Sequence, residues 1–348
     1  MTRTLRLAAG LVSGTVALGL AVGTMAAASA APDDRSAAWL AKQPEKGVVS
    51  VTSDGFTFDD YGLTADLGTA LSVIGGQKKT VRQVDRALQK HVDSWTTGVD
   101  FGSRDVFAGS AAKALVFAQT VGADPKDFGG VNLVKRVAGR VSTEKGIVGR
   151  VQDKTADTDY ANVIGQSYAA AGLSEAGSRK ARPAVRFLLR QQCAPGYFRL
   201  LFADADAKDQ TCDGARKRDR KADTDATALA VLNLQSIDKP SRAVESAVDA
   251  AVAWLVQQQK ADGSLGGGTA TKGRNSNSTG LGAWALGRAG KCDAAEDAAA
   301  WVNGLRRGSG AIAYDEAAEK AGIRKATLGQ WVRATAQAAP GLRYLSGC

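Results

Sequence analysis

A repeat with a period of about fifty residues constrains the fold of this chain more than any other feature of its sequence. Segments with one large apolar anchor alternate with nearly uncharged segments that are rich in Ala, Gly and Thr. The anchors of the first kind are Trp39, Leu88, Val137, Phe187, Trp254 and Trp301, at spacings of 49, 49, 50, 67 and 47 residues. The second kind is marked by Thr64, Ser110, Ala161, Thr227, Thr279 and Thr327, at spacings of 46, 51, 66, 52 and 48 residues. Both series lengthen at the same interval, which indicates one insertion near residues 193–221.

Both kinds of segment are predicted to be helices, and their chemistry predicts where each kind lies. A helix that is charged on one face and apolar on the other suits an outer layer in contact with water. A helix of small residues with little charge suits an inner layer that is packed on both sides. Neither kind buries its apolar surface alone, so six helical pairs are expected to stack side by side. The sequence therefore predicts an all-α fold.

One repeat carries a recognisable motif. The run Trp254-Leu-Val-Gln-Gln-Gln-Lys-Ala-Asp-Gly-Ser-Leu-Gly266, in which a helix ending in Gln precedes a Gly-rich turn, resembles the prenyltransferase/squalene oxidase repeat of terpenoid cyclases and protein prenyltransferases. Residues 187–198 are a weaker copy. The resemblance implies an α/α-toroid of about six helical hairpins, in which inner helices surround a central cavity. The same ring occurs in non-enzymes such as cobalamin carriers and complement thioester domains, so fold alone does not decide function.

The beginning of the chain has the pattern of a secretory signal peptide. Arg3 and Arg6 precede an apolar stretch from Leu7 to Met25, and Ala28-Ser29-Ala30 fits the small-residue cleavage rule. We therefore expect residues 1–30 to be removed and residues 31–348 to form a single secreted toroid domain. No later segment is apolar enough to span a bilayer.

The four cysteines all lie after the expected cleavage site, at Cys193, Cys212, Cys292 and Cys348. An even number in an exported chain indicates two disulfides, and three pairings are possible. We favour Cys193–Cys212 and Cys292–Cys348, because each bond then closes one local segment. The first bond would staple the insertion, and the second would hold the last residue to the turn before the sixth pair.

An acidic motif precedes one of the inner segments. In the cyclases, Asp-x-Asp-Asp opens an inner helix, and its middle Asp protonates an alkene or an epoxide. Here Asp223-Thr-Asp225 matches the first two carboxylates, but Ala226 replaces the third. Asp157-Thr-Asp159-Tyr160 and Asn275-Ser-Asn277-Ser278 are aligned with this motif in two other repeats. Because polar residues recur there with the period, we interpret them as helix caps. A terpenoid cyclase-like enzyme with Asp225 as general acid, tuned by Asp223, is the alternative.

Other catalytic patterns are incomplete. A prenyltransferase zinc site needs Asp, Cys and His, but the single histidine, His91, lies on a predicted outer helix. Ser110-Ala-Ala-Lys113 and Tyr160-Ala-Asn162 match two motifs of penicillin-binding proteins, but the third motif and the sheet strands are missing. Carbocation chemistry also needs aromatic cavity walls, and aromatic residues are sparse on the inner segments. We therefore expect no metal and no cofactor.

The charge of the chain bears on its partners. The formal charge is +10, and it is +8 for residues 31–348, which contain 43 basic and 35 acidic side chains. This excess favours anionic cell-surface components. The basic cluster at residues 216–221 lacks interleaved aromatic residues, so nucleic-acid binding is not expected.

These observations together predict a secreted, non-catalytic toroid that binds a small molecule or a cell-surface partner. We expect binding at the mouth of the ring, meaning the end where the inner helices begin. The candidate ligand-binding residues at that end are Asp157, Asp159, Tyr160, Asp223, Asp225, Asn275 and Asn277.

Overall fold

The computed structural model describes residues 35–348 except residues 54, 270 and 272. The signal peptide predicted at residues 1–30 lies outside the described residues, and the domain boundary after residue 30 stays a prediction. The described part of the chain contains fourteen α-helices and one antiparallel hairpin, in which β1 (Ser50–Ser53) pairs with β2 (Phe56–Asp59). The prediction of an all-α fold is confirmed.

Six helices form an inner ring. They are α2 (Tyr61–Ile74), α5 (Ala108–Val121), α7 (Val163–Glu175), α9 (Thr224–Leu234), α11 (Ser276–Arg288) and α14 (Leu328–Ala338). Nine of the eleven residues of α9 and eleven of the thirteen residues of α11 are buried, as expected for helices packed on several sides. Small residues permit this packing. A Cβ atom on Gly165 of α7 would lie 2.8 Å from the Cα atom of Gly109 of α5.

The inner ring is closed. Each inner helix packs against the next one along the chain, and α14 packs against α2. At this junction, a guanidinium nitrogen of Arg333 donates a hydrogen bond to a carboxylate oxygen of Asp60 at 2.7 Å. The hairpins therefore return to their starting point, which confirms the prediction of an α/α-toroid.

The outer layer contains α1 (Arg35–Leu40), α3 (Lys78–Lys90), α6 (Leu133–Ala138), α8 (Ala181–Leu189), α10 (Arg242–Gln258) and α12 (Cys292–Gly304). Each of these helices carries one of the six predicted anchors. In α3 only three of thirteen residues are buried, which fits a helix with one wet face. The short helices α4 (Val92–Thr96) and α13 (Glu316–Ala321) lie in the connections between outer and inner helices.

In five of the six repeats, one glycine joins neighbouring outer helices. Gly47, Gly149, Gly196, Gly263 and Gly310 follow outer helices and have φ between +84° and +108°. A Cβ atom at any of them would lie 2.1–2.5 Å from a backbone oxygen of the next outer helix. For Gly310, the last of the series, that oxygen belongs to Arg35 at the start of α1. The outer layer therefore closes at the same junction as the inner one.

A polar side chain on the inner helix holds each of these turns. In five repeats, the backbone N–H of the residue two positions after the glycine donates a hydrogen bond to this side chain, at distances of 2.8–3.0 Å. The acceptors are Thr64, Gln166, Thr227, Thr279 and Thr335. The sequence alignment of the repeats was therefore wrong at Ala161 and Thr327, because these residues lie before α7 and α14. The loop after residue 151 and the extra helix α13 shift the register there.

The glutamines of the recognised motif connect these turns to the next outer helix. The Nε2 atom of Gln259 donates to the carbonyl oxygen of Gly263 in its own turn and to that of Ala294 on the next outer helix. Gln192 does the same with Gly196 and Ala247. Each glutamine thus bridges two repeats through the two donors of one amide group.

Both predicted disulfides are present, Cys193–Cys212 and Cys292–Cys348. The first closes the insertion, which packs on the ring through Arg199. This arginine is fully buried, and it donates to the side chain of Gln191 at 2.6 and 3.0 Å and to the carbonyl oxygen of Gln210. Burial lowers the pKa of Arg199. Among the described residues, no helix has the length and apolarity needed to cross a membrane.

Candidate functional site

The inner helices enclose a cavity of about 550 Å³, called the central cavity below. All six inner helices contribute to its lining. Five of them each carry a polar acceptor that holds a turn, and in each case the residue two positions after this acceptor borders the cavity. These five residues are Asp66, Tyr168, Leu229, Leu281 and Gln337. Lys113 of α5 belongs to the same level because it contacts Asp66. These six residues are called the belt.

The belt is polar on one side and apolar on the other. Gln337, Asp66, Lys113 and Tyr168 come from four consecutive inner helices, whereas Leu229 and Leu281 come from the two helices that complete the circle. A molecule that spans the belt therefore meets hydrogen-bonding groups at one end and aliphatic side chains at the other. This asymmetry suits an amphiphilic ligand.

An ion pair dominates the polar side of the belt. The ammonium of Lys113 lies 2.5 Å from a carboxylate oxygen of Asp66, and the two side chains are only 22% and 15% exposed. The motif residues Ser110, Tyr160 and Asn162 also border the cavity. An ammonium that donates to a carboxylate has no lone pair with which to take a proton from Ser110. The geometry therefore does not favour the nucleophilic chemistry of penicillin-binding proteins, which needs a basic partner for the serine.

Tyr168 completes the polar side. Its side chain borders the cavity, and burial, followed by the nearby charge of Asp66, raises the pKa of its hydroxyl. The phenol is therefore neutral at physiological pH and is able both to donate and to accept a hydrogen bond.

Aromatic side chains form much of the wall. Of the seven aromatic residues on or beside the predicted inner segments, five border the cavity: Phe107, Phe117, Tyr160, Tyr168 and Trp284. The other two lie elsewhere, because Tyr61 stacks on His91 and Trp331 is buried in the core. Trp95 of α4 adds a sixth ring that the sequence did not indicate. The expectation of a thin aromatic lining is therefore wrong.

The cavity is bordered by four charged residues, and each of them has a partner. Asp66 pairs with Lys113, and Arg333 pairs with Asp60. Asp153 accepts hydrogen bonds from the backbone N–H groups of Ala108 and Tyr160 at 2.6 and 3.0 Å. Burial is the main cause of the raised pKa of Asp153. The lining therefore presents aromatic rings and neutral polar groups rather than unpaired charges.

Asp223 and Asn275 act as helix caps. Asp223 precedes α9 and accepts from the N–H of Ala226 at 2.9 Å, and Asn275 precedes α11 and accepts from the N–H of Ser278 at 2.9 Å. The second carboxylate oxygen of Asp223 accepts from the N–H of Thr269 at 2.7 Å. Both capping residues are buried, and both satisfy helix N–H groups that would otherwise lack partners.

The third aligned motif does not cap a helix, which corrects the sequence analysis. Asn162 is the N-terminal cap of α7 and accepts from the N–H of Gly165 at 3.1 Å. Asp157 is exposed in the preceding loop, five residues before the cap. Asp159 accepts from the N–H of Ala161 and lies 3.6 Å from the guanidinium of Arg150. The longer loop before α7 moves the two aspartates out of the capping position.

Asp225 has a different environment from that of Asp223. Its carboxylate accepts a hydrogen bond from the Thr271 hydroxyl at 2.5 Å. Burial raises the pKa of Asp225, the hydroxyls of Ser278 and Thr271 act in the opposite direction, and the charge of Asp223 adds to the increase. Asp225 and Asn277 are not among the residues that border the central cavity. Of the seven candidate ligand-binding residues, Tyr160 alone borders the central cavity.

Sequence reasoning missed Asp66 and Asp153, and it named Lys113 only as part of the Ser110-Ala-Ala-Lys113 motif. A signal for Asp66 and Lys113 as a pair was present, because each is the only charged residue of its inner helix. A lone carboxylate and a lone ammonium in two otherwise uncharged segments indicate a pair. Asp153 offers no such signal, because its role depends on contacts with the beginnings of two separate segments.

A metal site needs several ligand side chains close together. Within residues 35–348, apart from 54, 270 and 272, no group of three or more His, Cys, Asp and Glu side chains is placed to hold a metal ion. His91 stacks on Tyr61 with ring centroids 5.4 Å apart. The expectation of no metal and no cofactor stays a prediction.

No protein-family model and no curated protein sequence matches the chain. Several solved structures share its fold. A protein from Actinoplanes has 19% identity and a TM-score of 0.62, with coverage of 91% of this chain and 99% of that one. The type II terpene cyclase MstE from Scytonema, in its apo form, has 16% identity and a TM-score of 0.64, with coverage of 89% and 95%. An unsaturated glucuronyl hydrolase specific for heparin has 12% identity and a TM-score of 0.63, with coverage of 91% and 96%. At these identities, the likeness establishes the fold and not the activity.

Proposed function

We propose that this protein binds one uncharged, amphiphilic small molecule in its central cavity and does not transform it. The proposal places the ligand at the belt, deeper in the ring than the mouth. A volume of about 550 Å³ is within the range of roughly 300–1,000 Å³ that is usual for small-molecule pockets.

The ion pair between Asp66 and Lys113 is the observation that carries this proposal. The two charges neutralise each other inside a cavity with aromatic walls. A charged ligand would have to break the pair and leave one charge without a partner, which is unfavourable in a partly desolvated site. A neutral ligand needs only hydrogen bonds, and Tyr168 and Gln337 offer them on the same side of the belt.

Binding is tested with N-phenyl-1-naphthylamine, an uncharged probe whose fluorescence rises in apolar surroundings. We expect saturable binding of one probe per chain, with quenching of tryptophan fluorescence, because Trp95 and Trp284 border the cavity. Thr69→Trp places an indole in the cavity and is expected to abolish binding. The matched control is Thr120→Trp on the exposed part of α5, which is expected to leave binding unchanged. Equal binding by both variants would place the probe outside the cavity and reject the proposal.

A cyclase-like reaction is the second candidate. Two observations favour it, the raised pKa of Asp225 and the aromatic walls. Two others weigh against it. Asp225 does not border the cavity, and the carboxylate of Asp223, which would tune the acid, is occupied by two backbone N–H groups.

The two candidates are separated by an incubation with geranylgeranyl dihydroxybenzoate, the substrate named for the Scytonema cyclase. The binding proposal expects the compound to be recovered unchanged. A cyclised product that forms with the native protein and is lost in Asp225→Asn would establish the enzyme instead.

We also infer that the protein acts outside the cytoplasm. The signal-peptide pattern and the two disulfides support this inference, because structural disulfides persist in oxidising compartments. Mass spectrometry of the culture medium is expected to find a chain that begins at residue 31. A chain that stays in the cytoplasm with all four thiols reduced would contradict it.

A further inference from the structure

The most exposed large apolar side chains of this protein lie at one end of the ring. Among the described residues, six of them are between 51% and 85% exposed. Each lies in a connection that leads from an outer helix to an inner helix, so all six belong to the mouth. They are called the rim below, and they are Phe56, Phe58, Val99, Phe101, Tyr160 and Leu201. Exposed apolar side chains that are grouped in this way mark interaction surfaces.

The β-hairpin and the connection into α5 are neighbours at the rim. Burial, and then the charges of Asp59 and Asp100, raise the pKa of Tyr61, so both connections lie near the same hydroxyl. The Asp59 carboxylate accepts a hydrogen bond from the Ser50 hydroxyl at 2.7 Å. The Asp100 carboxylate accepts one from the Ser94 hydroxyl at 3.0 Å. Each carboxylate is thus held by a hydroxyl of the protein, next in sequence to an exposed ring of the rim.

Backbone hydrogen bonds extend the rim to α7. Val106 and Lys154 exchange two of them at 2.9 Å, which joins the connection into α5 to the connection into α7. The N–H of Val163, at the start of α7, donates to the carbonyl oxygen of Leu200 at 2.9 Å, which brings Leu201 to the same place. The rim is therefore an arc over α2, α5 and α7 rather than a set of scattered side chains.

The central cavity reaches the mouth beneath this arc. Gly62, Gly109 and Ile164, in the first turns of α2, α5 and α7, border the cavity, whereas the first turns of α9 and α11 do not. Tyr160 belongs both to the rim and to the cavity lining. A molecule that enters the cavity from this side of the mouth therefore passes the apolar side chains of the rim.

A group of positive charges lies beside the rim. The basic cluster at residues 216–221 contains five basic side chains, and all five are exposed. Arg199 and Ala222 form a backbone bridge, which holds the end of the cluster near Leu201. The Tyr197 hydroxyl donates to the carbonyl oxygen of Arg220 at 2.6 Å. The cluster therefore has a fixed place at the mouth.

Part of this positive charge is unpaired. Arg216 forms ion pairs with Asp204 and Asp219. Lys217 and Lys221 have no ion-pair partner within the part of the chain that the structure describes. Exposed ammonium groups of this kind attract the anionic headgroups of a lipid surface.

We propose that the rim docks on a lipid bilayer that contains anionic lipids, and that the basic cluster at residues 216–221 contacts the headgroups. The side chains of the rim then enter the interfacial layer, and an uncharged amphiphile passes from the bilayer into the central cavity. The passage of the ligand rests on the proposed function, whereas the docking does not.

The form of the rim favours a bilayer over a protein partner. The rim is spread over four connections, and a fluid layer adapts to separate side chains, whereas a protein partner needs a closely packed complementary surface. Four of the six rim residues are aromatic, and aromatic side chains suit the layer between headgroups and acyl chains. The ligand that the cavity favours, an uncharged amphiphile, also dissolves in bilayers.

The contribution of the charges is measured by sedimentation with vesicles of phosphatidylcholine alone and of equal parts phosphatidylcholine and phosphatidylglycerol. Lys217→Glu/Lys221→Glu should weaken binding to the anionic vesicles by about tenfold or more, because each reversal turns an attraction into a repulsion. Lys78→Glu/Lys79→Glu is the matched control, with the same change in net charge at the exposed beginning of α3, and it should bind nearly as the native protein does. Equal losses in both variants would show that only net charge matters and would reject the docking surface.

The contribution of the apolar side chains is measured with the same vesicles. Phe56→Ser/Phe101→Ser should weaken binding to both kinds of vesicle by about tenfold, because two apolar rings no longer leave water. Val256→Ser, at an exposed position of the outer helix α10, is the control and should bind as the native protein does. Unchanged binding of the double variant would reject the docking. A native dimer in lipid-free solution that the double variant dissociates would assign the rim to a second copy instead.

The passage of the ligand has its own measurement. N-phenyl-1-naphthylamine is preloaded into the anionic vesicles, and its uptake is followed by quenching of tryptophan fluorescence. Phe56→Ser/Phe101→Ser should take up the probe more slowly than the native protein but bind it equally well in lipid-free solution, because neither ring borders the cavity. Equal uptake rates would reject the direct passage and leave the docking. Failure of the native protein to bind the probe in lipid-free solution would reject the binding function and the passage, and vesicle sedimentation would still decide the docking.

Discussion

The carboxylate of Asp66 and the ammonium of Lys113 lie 2.5 Å apart on neighbouring inner helices, and each is the only charged side chain of its helix. The two residues are 47 positions apart in the chain, close to one repeat period. Equivalent positions of successive repeats thus carry opposite charges that meet in the cavity. This relationship gives the cavity a polar side without giving it a net charge.

Removal of one partner of this pair is expected to change the charge that the cavity accepts. Asp66→Asn leaves the Lys113 ammonium unpaired, so the anionic probe 1-anilinonaphthalene-8-sulfonate should bind about tenfold more tightly, which corresponds to about 1.4 kcal/mol. The free energy of unfolding should fall by about 1–2 kcal/mol, less than for a fully buried pair. The double variant Asp66→Asn/Lys113→Gln is the control and should bind the anion weakly again. Unchanged anion affinity in the single variant would show that Lys113 is not accessible to ligands.

Closure of the ring at Gly310 makes a sharp prediction about stability. Gly310→Ala forces a Cβ atom towards the backbone oxygen of Arg35 at a φ of +98°, and it should lower the free energy of unfolding by about 2 kcal/mol or more. Gly308→Ala is the matched control two residues earlier, where an added Cβ would meet no atom within 4 Å. Urea unfolding of both variants measures the difference. Equal stabilities would mean that the outer layer does not depend on this junction.

The two disulfides are expected to contribute unequally. Replacement of Cys292 and Cys348 by alanine opens a loop of 56 residues in sequence separation, and replacement of Cys193 and Cys212 opens one of 19. The chain-entropy model assigns about 4 kcal/mol to the longer loop and about 3 kcal/mol to the shorter one. Urea unfolding of the two double variants should therefore show the larger loss for the C-terminal bond. The reverse order would indicate that the insertion stabilises the fold more than the C-terminal bond does.

Burial of Asp225 predicts a pH-dependent effect of Asp225→Asn. Because burial raises the pKa of Asp225, the folded protein holds this proton more tightly than the unfolded chain, whose Asp side chains titrate near about 3.9. Burial of the charged carboxylate costs the folded protein no stability below that pH, and this loss of stability grows as the pH rises through the folded pKa. Asp223 and Tyr314 face Asp225 and are unchanged in the variant.

The variant should therefore gain stability over the native protein between about pH 4 and pH 7, and no comparable gain should appear below about pH 4. Urea unfolding at a series of pH values measures this difference. Asp249→Asn, an exposed position on α10, is the control and should give a difference that does not vary in this way. A flat difference for both variants would contradict the assignment of Asp225 as the desolvated carboxyl.

Much of the fold could be predicted because it depends on residues close together in the chain. Amphipathic periodicity identified the outer helices, and all six anchors from Trp39 to Trp301 lie on them. Local capping chemistry identified Asp223 and Asn275 correctly. The same reasoning failed at Asp157, because a spacing of fifty residues does not reveal how many of them belong to a loop and how many to the helix that follows.

The candidate site could be predicted only in part. Tyr160 borders the cavity, as expected of a residue near the mouth. The sequence analysis did not identify the residues on the polar side of the belt as a site. Asp66 and Lys113 stand out as lone charges in the sequence, yet nothing in a linear pattern states that α2 and α5 turn these side chains towards the same space. The environment of Asp225 depends on the path of a connection that has no periodic signal, because Thr271 of that connection donates to its carboxylate.

The sequence by itself determined the repeat, the helical class, the place of the insertion and the two disulfide partners that close local segments. Each of these follows from patterns within about one repeat length, where periodicity and loop closure act. Only the tertiary structure decided that Gly310 meets Arg35, that the ring encloses a cavity and that Asp66 neutralises Lys113 inside it. The physical reason is that steric contact and ion pairing act over a few ångströms in space. Residues far apart in the chain come within that range only when the ring closes, and the sequence alone does not show which of them meet.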